Sequence, residues 1–196
     1  MDAMAELSAE QGYEATKIGD LVRRAGVARK TLYDNFDGKE AVFLAAVDGA
    51  VEDVSGRVEE ACAAADGEWS QRVEGGLRAF LGYVAENPAA ARMCMIEAIS
   101  ATPTASARYD EALRRFVELW RRSAPVEADL PETIGETLIG GVAWIVYQQI
   151  RRGGAGQALD LLPGLSEFVL SPYHGVSKLS PEPGGESNST VADSNS

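Results

Sequence analysis

The chain has 196 residues, 45% of them hydrophobic and 24% charged, with a formal net charge of −12. That balance suits one or two domains with a real core and excludes a chain too polar to fold. Two cysteines without metal-ligand spacing, Cys62 and Cys94, exclude a disulfide scaffold and fit thiols kept reduced in a cytoplasmic setting.

No signal peptide is recognisable at the start of the sequence. Residues 2 to 11 read as the end of a first helix, with Met4 and Leu7 inward. Ile18, Leu21, Val22 and Ala25 then fall at i, i+3, i+4 and i+7, one face of a second helix. Thr16 is its expected N-cap, and Asp20 places an acid near its positive end. Gly26 breaks the pattern where a left-handed turn residue is needed. A third helix, about Ala28 to Asn35, follows. Val27, Leu32 and Phe36 are expected to pin it from beneath, which leaves Arg29, Lys30, Thr31, Tyr33 and Asn35 outside.

This is helix-turn-helix grammar: a short second helix, anchored below, with donors on its outer face. Arg and Lys reach phosphates or guanine edges, and Thr, Tyr and Asn hydrogen-bond phosphates or bases. A plain helical hairpin with a solvated basic face has the same spacing, and spacing alone does not choose between them. Charge distribution adds to the reading. Between Ala15 and Glu40 the bases Lys17, Arg23, Arg24, Arg29, Lys30 and Lys39 face the acids Asp20, Asp34, Asp37 and Glu40. This window is mildly basic inside an acidic chain, so DNA binding is expected to need a dimer and to fall steeply with salt.

Gly12-Tyr13, Thr16, Ala25-Gly26-Val27, Leu32-Tyr33 with Phe36, and Lys39-Glu40 together resemble the N-terminal DNA-binding domain of the TetR family of transcriptional repressors. The resemblance covers roughly residues 3 to 50. It implies that Lys17, Tyr33 and Lys39 meet the DNA backbone and that Arg29, Lys30 and Thr31 read base edges; Asn35, on the same outer face, is a further DNA-binding candidate. Departures are Gly19, where the family often has a polar side chain, and Ser8, where it usually has a large apolar one. The first helix is also short by comparison, which fits either a start further upstream or a truncated helix.

A long fourth helix is expected from about Gly38 into 61–65, ended by Asp66-Gly67, with Phe43, Val47, Val51, Val54 and Val58 as its apolar stripe. A fifth, about Trp69 to Glu86, stops at Asn87-Pro88, and a sixth runs to about Ala101. The seventh, about Thr104 to Ser123, carries Tyr109, Leu113, Phe116 and Trp120 inward. Its Arg114, Arg115, Arg121 and Arg122 read as a solvated face with acidic neighbours. The eighth, about Pro131 to Arg152, is apolar nearly all round and so needs cover on every side. Its most apolar run, Leu138 to Ile150, is too short to span a bilayer. Gly135, Gly140 and Gly141 permit close helix approach. A final helix, kinked or begun at Pro163, ends near Ser171-Pro172.

The fold expected is therefore all-α, with about nine helices. Residues 1–45 form a three-helix DNA-binding head, 46–173 a helical ligand-binding and dimerisation domain, and 174–196 a polar, disordered tail. His174, at the tail's border, reads as a surface histidine. By the resemblance, the last two long helices form a homodimer interface, the partner is double-stranded operator DNA, and a small-molecule effector enters the helical domain. Phe80, Tyr83, Met93, Tyr109, Phe116, Trp120, Trp144 and Tyr147 are the candidate pocket residues, because with Trp69 and Met95 they exceed what a core of this size requires. Arg92 or Glu97 could orient a charged ligand end, though neither is assigned that role. No nucleophile–base pair, phosphate-cradling loop or metal cluster is recognisable, so no enzyme, cofactor, metal or membrane partner is expected. The competing reading is an all-α dimeric small-molecule-binding or interaction protein with weak or lost DNA binding.

Overall fold

The computed structural model describes residues 2–65, 68–124, 130–131 and 133–174. Among the described residues there are nine α-helices, the sixth carrying a π turn, one 3₁₀ segment and no strand. Helices α1 (Asp2–Gln11), α2 (Ile18–Ala25) and α3 (Arg29–Asn35) form a head on the first half of α4 (Lys39–Ala64). Beyond it lie α5 (Trp69–Glu86), α6 (88–101), α7 (Pro103–Ser123), α8 (Ile134–Arg151), the 3₁₀ segment Ala155–Leu161, and α9 (Leu162–His174).

Alternation at helical spacing explains the head. Met4, Leu7, Tyr13, Leu21, Leu32, Phe43 and Val47 are all buried and share one cluster. That cluster takes in Met93, Ala98 and Ala105, so the head's core continues into α6 and α7. A second core, built on Leu81, Val84, Leu138, Val142, Val146, Ile150, Leu165 and Val169, holds α5, α8 and α9 together. Thr102 caps α7, its hydroxyl accepting the Ala105 N–H at 3.2 Å.

Three local expectations change. Thr16 is not the N-cap of α2; Lys17 holds that place without a side-chain cap. The Thr16 hydroxyl instead donates to the Gly12 carbonyl at 2.8 Å, which buries the side chain and fixes the turn after α1. Val27 does not anchor α3: Gly26, at φ +67°, turns the chain so that Val27 is 42% exposed, and Leu32 carries the anchoring. The last helix does not stop at Pro172. Proline cannot donate to the Phe168 carbonyl four residues back, but the Ser171 hydroxyl does so at 2.9 Å, and the helix continues to His174. Of the glycines expected to admit close neighbours, Gly135 and Gly141 do so, against Trp120 and Phe168, while Gly140 faces open space. Asp66-Gly67, the expected end of α4, and the tail from 175 onward lie outside the described residues.

The π turn Met93–Glu97 positions both functional regions. It places Met93 in the head's core, Cys94 and Met95 on the body's cavity, and Glu97 against the head. Glu97 accepts the Tyr13 N–H at 3.1 Å. On the other side of the same residue, the Lys39 ammonium donates to the carbonyls of Tyr13 and Glu14 at 3.0 and 3.2 Å and lies 4.1 Å from the Tyr13 ring centre. Glu97→Ala is expected to lower head stability by about 1–3 kcal/mol, since it leaves a half-buried N–H without its charged acceptor. A chain of this size would show this as a drop of roughly 2–10 °C in thermal midpoint by circular dichroism. An unchanged midpoint would assign the contact no weight.

Candidate nucleic-acid interface and ligand cavity

The outer face of α3 is polar because its one buried residue is Leu32. Arg29, Lys30, Thr31, Tyr33 and Asn35 are all exposed. The Arg29 guanidinium lies 5.7 Å from the Tyr33 ring centre and 3.5 Å from its hydroxyl, so the two side chains present one surface. Lys30 sits 3.7 Å from Asp34, an exposed pair that yields easily to a phosphate. Asn35 donates to the Thr31 carbonyl at 2.8 Å. Lys17 is exposed at the start of α2.

The remaining bases of this window are tied down. Arg24 bonds Glu6 and Glu10 of α1, each at 2.8 Å, and these carboxylates push its pKa further up. Arg23 pairs with Asp20 at 2.6 Å. Lys39 commits two of its three donors to the backbone carbonyls of Tyr13 and Glu14. The cationic face thus narrows to Lys17, Arg29 and Lys30. Sequence reading could not see this, because the partners of Arg24 lie on another helix.

Behind the head lies an apolar cavity of about 160 Å³. It follows α4 from Val47 through Val51, Val54 and Val58 to Cys62, and α5, α6, α7 and α8 close it. Phe80, Tyr83, Tyr109, Phe116 and Trp120 line it, as do Met95, Cys94, Ser123 and Arg72. Three candidates are placed elsewhere. Met93 faces the head's core. Trp144 and Tyr147 stack on one another, ring centres 5.6 Å apart, away from the cavity; Trp144 is 58% exposed and Tyr147 is half-buried against the second core. Burial pushes the Tyr83 phenol and the Cys94 thiol up to about 12, so both are neutral near pH 7. Glu97 and Arg92 stand 3.8 Å apart and line no part of the cavity.

Four of the five arginines of α7 pair with acids. Arg108 meets Asp48, and Arg115 meets Glu52 and Glu59, all on α4, at 3.4, 2.7 and 3.3 Å. Arg121 and Arg122 pair with Glu136 and Glu118. Among the described residues no cluster of His, Cys, Asp or Glu could hold a metal, and no helix is long and apolar enough to cross a membrane.

Two short helices joined through a left-handed glycine, with donors outward, on an all-α body with an internal cavity, define a helix-turn-helix head on a helical body. Residues 1–46 match the family described as bacterial regulatory proteins, tetR family, so the head is of that family's type. Over 55 residues it is 40% identical to the uncharacterized HTH-type transcriptional regulator YezE of Bacillus subtilis, covering 28% of each chain. Over 60 residues it is 35% identical to the HTH-type transcriptional repressor KstR2 of Rhodococcus jostii, covering 31% of this chain and 29% of that one. These matches therefore span less than a third of the relatives' length. The whole fold is similar to FadR of Bacillus subtilis, solved in complex with stearoyl-CoA, with a TM-score of 0.73 at 17% identity over 87% of this chain and 96% of that one. The fatty acid degradation regulator FadR of Bacillus halodurans gives 0.72 at 16% identity, over 86% and 95%.

Proposed function

We propose that the chain is a homodimeric transcriptional repressor that leaves a palindromic operator when an apolar or amphipathic molecule enters its cavity. The observation that carries this reading is the outer face of α3, where the five polar residues stand exposed over a single buried leucine. Residues 1–45 act as the head and 46–173 as the ligand and dimer domain. Lys17, Tyr33 and the remaining donor capacity of Lys39 hold phosphates, Asn35 adds a polar contact, and Arg29, Lys30 and Thr31 enter the major groove. The protein acts by binding and not by catalysis.

A dimer supplies the second half-site. The exposed apolar residues Trp144, Ile145, Leu159 and Phe168 lie on α8, the 3₁₀ segment and α9, and support those elements as the interface. Effector action is linkage: the ligand binds the DNA-incompetent arrangement more tightly, and DNA weakens the ligand by the same factor. The contact between Glu97 and Tyr13 supports α6 as the part that carries cavity filling to the head.

Fluorescence anisotropy against DNA from immediately upstream of the chain's own gene tests the reading, beside a scrambled duplex at low and moderate salt. Salt-sensitive preference for the native duplex is expected; equal weak binding to both would favour a dimeric binding protein without an operator. The neutralised Arg24 and the charge of −12 speak for that second reading. Tyr33→Phe keeps the ring beside Arg29 and removes only the hydroxyl. It is expected to weaken operator binding by about 0.5–1.5 kcal/mol with an unchanged circular dichroism spectrum. Full affinity would remove Tyr33 from the interface.

A further inference from the structure

Arg72 is the one charged residue among those described that line the cavity. No described carboxylate pairs with it. Its backbone carbonyl accepts the Cys62 thiol at 3.5 Å, which fixes this turn of α5 beside the C-terminal end of α4. Burial raises the Cys62 thiol's pKa and the Arg72 charge opposes that rise, so the guanidinium stands near the cavity end that Cys62 marks. Arg72 is itself exposed, which makes this end the mouth. Ser123, at the same end, donates its hydroxyl to the Leu119 carbonyl and leaves Arg72 as the available donor.

The rest of the wall is neutral. At about 1.5 Å per residue, the stretch of α4 from Val47 to Cys62 spans roughly 22 Å. The lining therefore makes the cavity long and apolar, a shape that accommodates one extended chain. Phe116 and Phe80, 6.1 Å apart, stand against its middle, and Tyr109 marks the far end with Val47.

We propose that the cavity binds a single-chain amphiphile with one negative charge, its acidic end at Arg72 and its chain laid along α4 toward Tyr109. This rests on the cavity being the effector site. One cation with no ion-pair partner among the described residues matches one anionic group and brings no partner for a second. A ligand bearing several phosphates, such as the stearoyl-CoA held by the Bacillus subtilis FadR, would set further negative charge against an acidic chain without added cations.

The test uses the full chain and the fluorescent polyene cis-parinaric acid, displaced by hexadecanoic acid, hexadecanol or hexadecanoyl-CoA. Hexadecanoic acid is expected to displace the probe at about a tenth of the alcohol concentration, as a charge-assisted contact gives. In Arg72→Gln the acid should lose that advantage, while the alcohol's affinity stays within about twofold and the melting curve is unchanged. Equal potency of acid and alcohol on the wild type, an advantage that survives Arg72→Gln, tighter binding of the thioester, or no uptake of the probe would each overturn the assignment. Anisotropy on the upstream duplex, run on the same samples, separates this from the regulator reading. Acid that binds through Arg72 without releasing DNA defeats the regulator and leaves the assignment standing. DNA released by the alcohol as readily as by the acid does the reverse.

Discussion

Trp144→Arg is expected to convert the protein from a dimer to a monomer and to weaken its hold on a two-half-site duplex by about 10²–10⁴-fold. Trp144 is 58% exposed and stacks on Tyr147 at an interplanar angle of 18°, with Ile145 and Phe168 exposed nearby. An indole this size is a poor surface residue and a frequent interface anchor. A two-fold interface uses each patch twice, so one substitution removes two anchors and brings in two cations. The subunit fold should survive, because the side chain has no place in the core. Each head would then bind alone, losing the avidity that two tethered heads provide. Sedimentation velocity gives the mass, and anisotropy on full-site and half-site duplexes gives the affinities. A variant that stays dimeric would move the interface away from α8.

Arg29→Ala carries the second large effect. Arg29 is the first residue of α3, exposed, and steadied by Tyr33 at 5.7 Å. An arginine at the leading end of a recognition helix reaches base edges, where a good bidentate contact is worth about 1–3 kcal/mol of discrimination. The variant should therefore lose about 5–150-fold in preference for its operator over a single-base variant at the contacted position, while binding to random DNA changes little. Competition with a panel of substituted duplexes reads this directly. Equal losses on every duplex would make Arg29 a phosphate contact and pass base reading to Lys30 and Thr31.

Residue spacing carried much of the architecture. The helical periods of Ile18 to Ala25 and of Phe43 to Val58, and the stops at Gly26 and Asn87-Pro88, correspond to helices found in the structure. Legibility failed where a residue's role depends on a neighbour far along the chain. Met93 and Met95 are alike in composition, yet two residues apart on a helix they face opposite ways, one to the head and the other to the cavity, and only the packing shows which is which. Arg72 has nothing local to distinguish it from Arg78, which pairs with Glu74. Trp144 and Trp120 both belong to aromatic-rich helices, but Trp120 is held inside by Tyr173, whose hydroxyl accepts its indole N–H at 3.1 Å. Spacing gives a side chain's face on its own helix, and contact decides which face looks inward.

The Tyr13 peptide has a use of its own. Its N–H is held by Glu97 of the body while its carbonyl is held by Lys39 at the base of the head. Exchange of this amide with deuterated solvent requires that bond to open, so its lifetime measures how often head and body part. One resonance in a heteronuclear spectrum thus becomes a gauge of interdomain opening, readable without DNA, without an operator sequence and before any effector is in hand. A compound that changes the lifetime of Tyr13 while leaving the amides of α9 alone would identify itself as acting on this joint.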